Sequence, residues 1–286
     1  MPALETYKGA YLWKYVPNFA AAITFGVLFF ILTLAHAYRM HRYRTWYTIP
    51  FITGGFCEPI GYACRAIATY HTGSLIPFLL QAIFILLPPC LFAGTLYMVY
   101  SRVVRATHGE RFSYLSPRWC TRIFVAGDLL CLNIQSTGAG FLPKPKLANA
   151  GNGVIVTGLG LQVLIFAGFM WCCILFHRKF SLHLRNSGQH VHVPWQSLLW
   201  MLYGTSVIIS IRNIFRLVEF IAGHDSYLFL NEWPVYVFDG ALMLLVMISF
   251  YIWYPFQLQN EEIGTESMIE LTNEDNSPPG DEPSRK

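Results

Sequence analysis

Residues 198–221 read LLWMLYGTSVIISIRNIFRLVEFI, and this stretch decides the fold. Its 24 residues are enough to cross the hydrocarbon core of a bilayer as a helix, which takes about 20. Yet they include Arg212, Asn213, Arg216 and Glu219. A lone charge at mid-bilayer costs at least roughly 2.5–3.5 kcal/mol. These side chains therefore need a bundle interior, not lipid. Arg212, Arg216 and Glu219 stand at i, i+4 and i+7, which puts them on one helical face. Two arginines one turn apart repel, so other helices are expected to bring the carboxylates.

Six more runs of the same kind lie around it: Val16–Ala37, Thr48–Tyr70, Pro77–Tyr100, Ile123–Leu142, Gly153–Leu175 and Glu232–Tyr254. Apolar residues make up 54% of the 286-residue chain and charged residues only 13%, about half the charged share of a soluble protein. Continuous apolar runs exclude a β-barrel, whose strands alternate in polarity. The fold class is therefore all-α, a seven-transmembrane-helix bundle at residues 16–254. Residues 1–15 form an extracellular or lumenal segment, and residues 255–286 a disordered, acidic cytosolic tail.

Charge sets the expected direction. Arg39, Arg42, Arg44, Arg102, Arg105, Arg111, Arg118, Arg122, Arg178, Lys179 and Arg185 fall in the first, third and fifth loops. Only Lys8, Lys14, Lys144 and Lys146 fall on the other side. The richer side is cytosolic by the positive-inside rule, so the N-terminus is outside and the C-terminus inside. The net charge of +4 thus reflects topology, and no nucleic-acid partner is expected. Tyr11, Trp13, Tyr15, Tyr43, Trp46, Tyr47, Trp195, Trp233, Trp253 and Tyr254 cluster at span ends as an interfacial belt. No cleavable leader is expected, because residues 1–15 are mixed and the first run is too long for one. Six of the seven cysteines lie in apolar runs and read as reduced packing thiols. His190 and His192 read as solvated loop residues. Ser267 and Thr272, each followed by an acid three residues on, are candidate phosphorylation sites in the tail.

The polar residues inside the runs form the candidate site: Glu58, Tyr62, Arg65, Asp128, Gln135, Gln162, Arg212, Arg216, Glu219, Glu232, Tyr236 and Asp239. Asn133 belongs to the same set of misplaced polar groups. Glu58, Gly61, Tyr62 and Arg65 share one helix face. The ionisable residues are expected to face inward and pair with one another. At about 1.5 Å per residue, the three arginines and Asp239 share the outer half of the bundle. Two readings fit. One is a structural ion-pair network, and the other a wet cavity where arginine forks hold a phosphate or carboxylate head group. Pro88 and Pro89 are expected to kink the third span.

Six ordered motifs resemble a known group. They are Glu58-x-x-Gly61-Tyr62-x-x-Arg65; Pro89 before Ala93 and Tyr97; Phe124-Val125-x-x-Asp128 leading to Gln135-x-x-Gly138; Gly158-Leu159-x-Leu161-Gln162; Ile211-Arg212-x-x-x-Arg216-x-x-Glu219; and Glu232-x-x-x-Tyr236-x-x-Asp239. Over roughly residues 11–256 the chain resembles the fungal lipid-translocating exporter family, seven-span proteins tied to resistance against aminocholesterol and toxic sphingoid bases. The resemblance implies a fungal membrane protein that handles lipids or toxic amphiphiles. Family members are linked to sphingoid bases, sterol-like drugs and porphyrins, so it leaves the substrate open. Pro88 departs from the family pattern, which has a small residue there.

The leading expectation is a transporter or translocase of amphiphilic lipids, sphingoid-base or sterol-like, serving resistance or lipid homeostasis. Its partners are membrane lipids and the amphiphile; its oligomeric state is unknown. The plasma membrane is the expected home, with a vacuolar or other endomembrane as the alternative. No phosphate-binding Gly-x-x-x-x-Gly-Lys loop occurs, which argues against an ATP-driven pump. A proton gradient acting through Glu58 or Asp128 and simple downhill flipping both stay open. The alternative function is a seven-span lipid-sensing receptor without transport, although no Asn-Pro-x-x-Tyr or Asp-Arg-Tyr motif is present. An enzyme is not expected, nor a cofactor or metal, because only His36 of nine histidines lies in a span. No span holds a lysine for a retinal Schiff base.

Overall fold

The computed structural model describes residues 6–7, 10–11, 13, 15–142, 147–187, 194–223 and 226–255. The expectations for His190, His192 and the acidic tail, with Ser267 and Thr272, lie outside these residues. Two-residue strands β1 (Thr6–Tyr7) and β2 (Ala10–Tyr11) pair antiparallel ahead of the helices. The helices are α1 (Phe19–Tyr43), α2 (Ile49–Ala68), α3 (Leu75–Ala106), α4 (Pro117–Phe141), α5 (Ala148–Ser187), α6 (Trp195–Ala222), the single turn α7 (Tyr227–Leu230) and α8 (Leu242–Ile252). A π-helical segment, Val235–Ala241, leads directly into α8. Apart from the small hairpin, the described fold is helical, as expected.

Local signals set several boundaries. The Asn18 side chain accepts from the Ala21 N–H and starts α1. Arg44, with a left-handed φ of 54°, ends it. Pro50 and Pro117 sit in the first turns of α2 and α4, where a missing N–H costs nothing. Helix α3 runs through Pro88 and Pro89 without a break in its helical assignment. Helix α5 has 40 residues, so at about 1.5 Å per residue it is far longer than a bilayer core is thick. It overruns the expected span Gly153–Leu175 at both ends.

Sequence neighbours pack side by side from α1 to α6. Helix α8 closes the set against α6 and α1, and α3 also touches α6. Among the described residues, five segments are long and apolar enough to cross a membrane: α1, α3, α5, α6 and Val235–Ile252. Helices α2 and α4 fall outside that group, and they hold Glu58, Arg65 and Asp128 in the interior. The outer surface is greasy, with Ile31, Leu164, Trp171 and Trp200 exposed, while the interior buries charges. This arrangement suits a lipid solvent. The protein is an integral, multi-pass membrane protein.

One sequence expectation needs correction here, and that for the cysteines holds. Trp13, Tyr47, Trp195 and Tyr254 are buried in packing rather than arrayed as interfacial aromatics, whereas Tyr43, Trp46, Trp233 and Trp253 are exposed. Rings at helix ends are drawn inward when they find partners. Tyr47 donates to the Pro255 carbonyl at 2.9 Å, and Trp195 packs edge-on against Phe180. The cysteines are all free, and all are buried except the half-buried Cys64. Cys172 and Cys173 are core packing residues.

Candidate functional site

Three polar groups sit in the interior. The first is built on Arg65 of α2, which is 1% exposed. Its Nε donates to Glu232 Oε1 at 3.2 Å and to the Tyr236 hydroxyl at 3.1 Å. Its Nη2 donates to Glu232 Oε1 at 2.8 Å and to the Tyr15 hydroxyl at 2.9 Å. Glu232 also accepts the Asn18 N–H on both oxygens, at 2.9 and 3.0 Å, and the Tyr236 hydroxyl at 2.9 Å. One carboxylate thus ties the start of α1, helix α2 and the approach to α8.

The second group joins α6 to the π-helical segment. Arg212 Nε and Arg216 Nε both donate to Asp239 Oδ1, at 2.9 and 2.8 Å. Arg216 Nη2 pairs with Asp239 Oδ2, and Arg216 Nη1 donates to Glu219 Oε2 at 2.8 Å. Glu219 lies on the same helix as the arginines. That corrects the expectation that other helices bring all the counter-charges, since an i, i+3 pair is within reach on one helix. Arg212 Nη2 also donates to the Ile85 carbonyl at 3.4 Å. Residue 89 would normally bond that carbonyl, but Pro89 has no N–H. The proline pair therefore leaves an acceptor on α3 that a buried arginine takes.

The third group links α3, α4 and α5. The Tyr97 hydroxyl donates to Asp128 Oδ2 at 2.7 Å, and Gln135 Nε2 donates to Gln162 Oε1 at 2.8 Å. Glycines permit this approach. A Cβ at Gly158 would stand 2.8 Å from Gln135 Cγ, and one at Gly138 would stand 2.8 Å from the Gly151 carbonyl oxygen.

Glu58, Arg65, Asp128, Arg212, Glu219 and Asp239 are buried and Arg216 is half-buried, but they do not all pair. Among the described residues Asp128 meets a hydroxyl and no cation, and its Oδ1 is buried without a partner. Glu58 Oε1 is also buried without a partner, although Arg212, Asp239 and Arg216 are within electrostatic reach. Asn133 faces outward and satisfies its amide on the Leu129 carbonyl at 2.8 Å, so it did not have to turn inward. Tyr62 stacks on Phe25, Phe29 and Tyr236, and its hydroxyl is unpartnered. Replacing Tyr97 with Phe removes the donor to Asp128, and a stability loss of about 1–3 kcal/mol is expected in thermal melts. Adding Asp128→Leu should recover most of it; no recovery would show that the pair is not a unit.

A cavity of about 380 Å³ opens among these groups. Of the predicted site residues, Arg65, Gln135, Arg216 and Glu219 line it. Glu232 and Tyr236 hold Arg65, Asp239 holds Arg216 and is shared with Arg212, Gln162 holds Gln135, and Glu58, Tyr62 and Asp128 lie off the wall. Trp13, Tyr15 and Gln81 line the cavity too. The first two were legible only as belt aromatics. Gln81 carries the same signal as Gln135, an amide in an apolar run, yet stands outside the candidate set. Among the described residues no cluster of three His, Cys, Asp or Glu side chains is placed to hold a metal.

The family described as RTA1 like protein matches residues 51–262, which include every predicted site residue. The chain belongs to this family. The six motifs pointed to the same group, fungal proteins of lipid-resistance type. Protein RTA1 of Saccharomyces cerevisiae is 31% identical over 284 residues, covering 89% of each chain. Protoporphyrin uptake protein 1 of the same yeast is 29% identical, covering 86% of this chain and 92% of its own. The yeast sphingoid long-chain base transporter RSB1 is 25% identical, covering 84% and 72%. No solved structure matches. Two of these relatives carry names of uptake or transport, and membrane transport or lipid resistance is the function that the family supports in general terms.

Proposed function

We propose that this RTA1-like protein is a seven-crossing carrier that moves amphiphilic lipids or toxic amphiphiles between leaflets. The carrying observation is the cavity itself, a space with charged and amide groups on its wall inside an otherwise apolar bundle. A head group sits there while its chain lies among Phe78, Leu79, Leu86 and Ile155. In this reading α2 and α4 are also crossings, shielded from lipid on their polar faces by α1, α3 and α5. Residues 1–15 lie outside, 16–254 span, and 255–286 form the cytosolic tail. The substrate is of sphingoid-base or sterol-like type, and the role is resistance or lipid homeostasis at the plasma membrane or an endomembrane. The protein works without a cofactor. Nine of the twelve predicted polar residues divide between wall and support, and Glu58, Tyr62 and Asp128 lie off the wall.

The test is flux in vesicles reconstituted with the purified protein, using a tail-labelled amphiphile and a membrane-impermeant quencher. Ala139 lines the cavity, so Ala139→Trp fills it. Flux should fall at least about tenfold while the melting temperature holds. Undiminished flux in Ala139→Trp would take the cavity out of the mechanism. Binding of the amphiphile with no movement of label would instead favour the lipid sensor of the same topology.

A further inference from the structure

The ion pairs around the cavity are mutually spent, so the groups that read a ligand are those left over. Glu232 already accepts from Arg65, Asn18 and Tyr236. Asp239 is shared by Arg212 and Arg216. Three residues that line the cavity each carry a buried polar atom with no partner among the described residues: Trp13 its indole Nε1, Gln81 its Oε1 and Gln135 its Oε1. Gln135 is 1% exposed and Trp13 5%. A buried polar group without a bond costs about 1–3 kcal/mol, and such groups persist in native structures when a ligand or water satisfies them.

The leftover groups have two signs. Trp13 Nε1 is a donor, and the Arg65 guanidinium lies 5.6 Å from the Trp13 ring. Arg65 spends Nε and Nη2 on protein groups, and its Nη1 makes no hydrogen bond among the described residues. This is a donor pole suited to anionic oxygen. Gln81 Oε1 and Gln135 Oε1 are acceptors on α3 and α4. Glu219, on α6, spends only Oε2 on Arg216 among the described residues. This is an acceptor pole suited to an ammonium or to hydroxyls.

We propose that the cavity selects a zwitterionic head group, with an anionic oxygen at Arg65 and Trp13 and a protonated amine at Gln81, Gln135 and Glu219. Trp13 and Gln81 are then specificity-determining residues. The inference rests on the carrier reading above and narrows its sphingoid-base class to forms that bear an amine and a phosphate on one head, leaving out free bases and sterols. A purely cationic or purely anionic amphiphile leaves one pole buried and unsatisfied, which is the larger part of the discrimination.

The test uses purified protein in a non-ionic detergent and three tail-fluorescent probes with one common chain. Their heads are a phosphoethanolamine, a primary amine and a phosphate monoester. The phosphoethanolamine probe should bind at least about tenfold more tightly than either of the others, as expected for one lost bond to a charged group. Trp13→Phe keeps the ring against Phe78 (5.5 Å between centroids) but removes the N–H. It should weaken the zwitterionic and phosphate probes and spare the amine. Gln81→Leu should weaken the zwitterionic and amine probes and spare the phosphate. Neither change removes a hydrogen bond within the described protein, so melting temperatures without ligand should not fall. Chainless phosphoethanolamine should fail to compete, which separates a lipid head group from a free metabolite. Equal affinity for the three probes, a ranking unmoved by both variants, or full competition by the chainless compound would overturn the inference. If flux in vesicles persists under any of those results, the carrier reading stands without it; if no probe binds and no flux occurs, both fall.

Discussion

Replacing Asp239 with alanine lowers stability by about 3–5 kcal/mol, the cost of stripping one partner from a buried ion pair. Asp239 and Arg212 are each 1% exposed. Without the carboxylate, Arg216 keeps Glu219, but among the described residues Arg212 keeps only Asn213 Oδ1 and the Ile85 carbonyl, each at 3.4 Å. Such a loss is a large part of a domain's usual total of roughly 5–15 kcal/mol. The variant should fail to accumulate, or melt far below wild type in fluorescence-detected gel filtration. Arg212→Met provides the contrast. Asp239 then still has Arg216, so the loss should be much smaller. Equal losses in the two variants would mean that the carboxylate is not the hub drawn here.

Gly138→Leu should be comparably damaging for a steric reason. Even a Cβ at this position would stand 2.7 Å from Ile155 Cγ1, 2.8 Å from the Gly151 carbonyl oxygen and 3.0 Å from the Ile155 nitrogen. Two of those atoms are backbone and cannot rotate aside, so α4 and α5 must separate. Overpacking of this kind costs about 1–3 kcal/mol for a few added methylenes, sometimes more. Separation also pulls Gln135 from Gln162 and distorts the cavity wall, so flux should be lost with stability. Gly140→Leu is the control, because nothing lies within 4 Å of its Cβ. A Gly138→Leu protein as stable and active as the control would show that the helices do not approach this closely.

Much of the site was legible as a set of residues and little of it as a set of contacts. The helical repeat correctly turned Glu58, Tyr62 and Arg65 inward, and likewise Arg212 and Glu219. It could not tell that Arg65 and Glu232 would meet across 167 positions of chain. Nor could it tell that Asp128 would settle for the Tyr97 hydroxyl. The cost of burial says that a charge must be satisfied, not by what. Asn133 shows the same limit from the other side. An amide one turn from a backbone carbonyl satisfies itself locally and can face outward. The π-helical segment that carries Tyr236 and Asp239 also left no mark in the residue pattern, since a wider turn has no residue signature of its own.

Sequence alone determined the solvent, the helical class and the kinship of this protein. Transfer from water to lipid is a sum over residues, and an apolar run needs only its own backbone bonds to cross a bilayer. The same sum marked out the polar residues that had to be sheltered. Tertiary structure alone decided which of them became a cavity wall and which became its support. That outcome depends on how deep and at what angle each helix presents its face, and these are set by close approaches such as Gly138 on Gly151 and Gly158 on Gln135. No single helix contains that information, because a contact between helices belongs to both backbones at once.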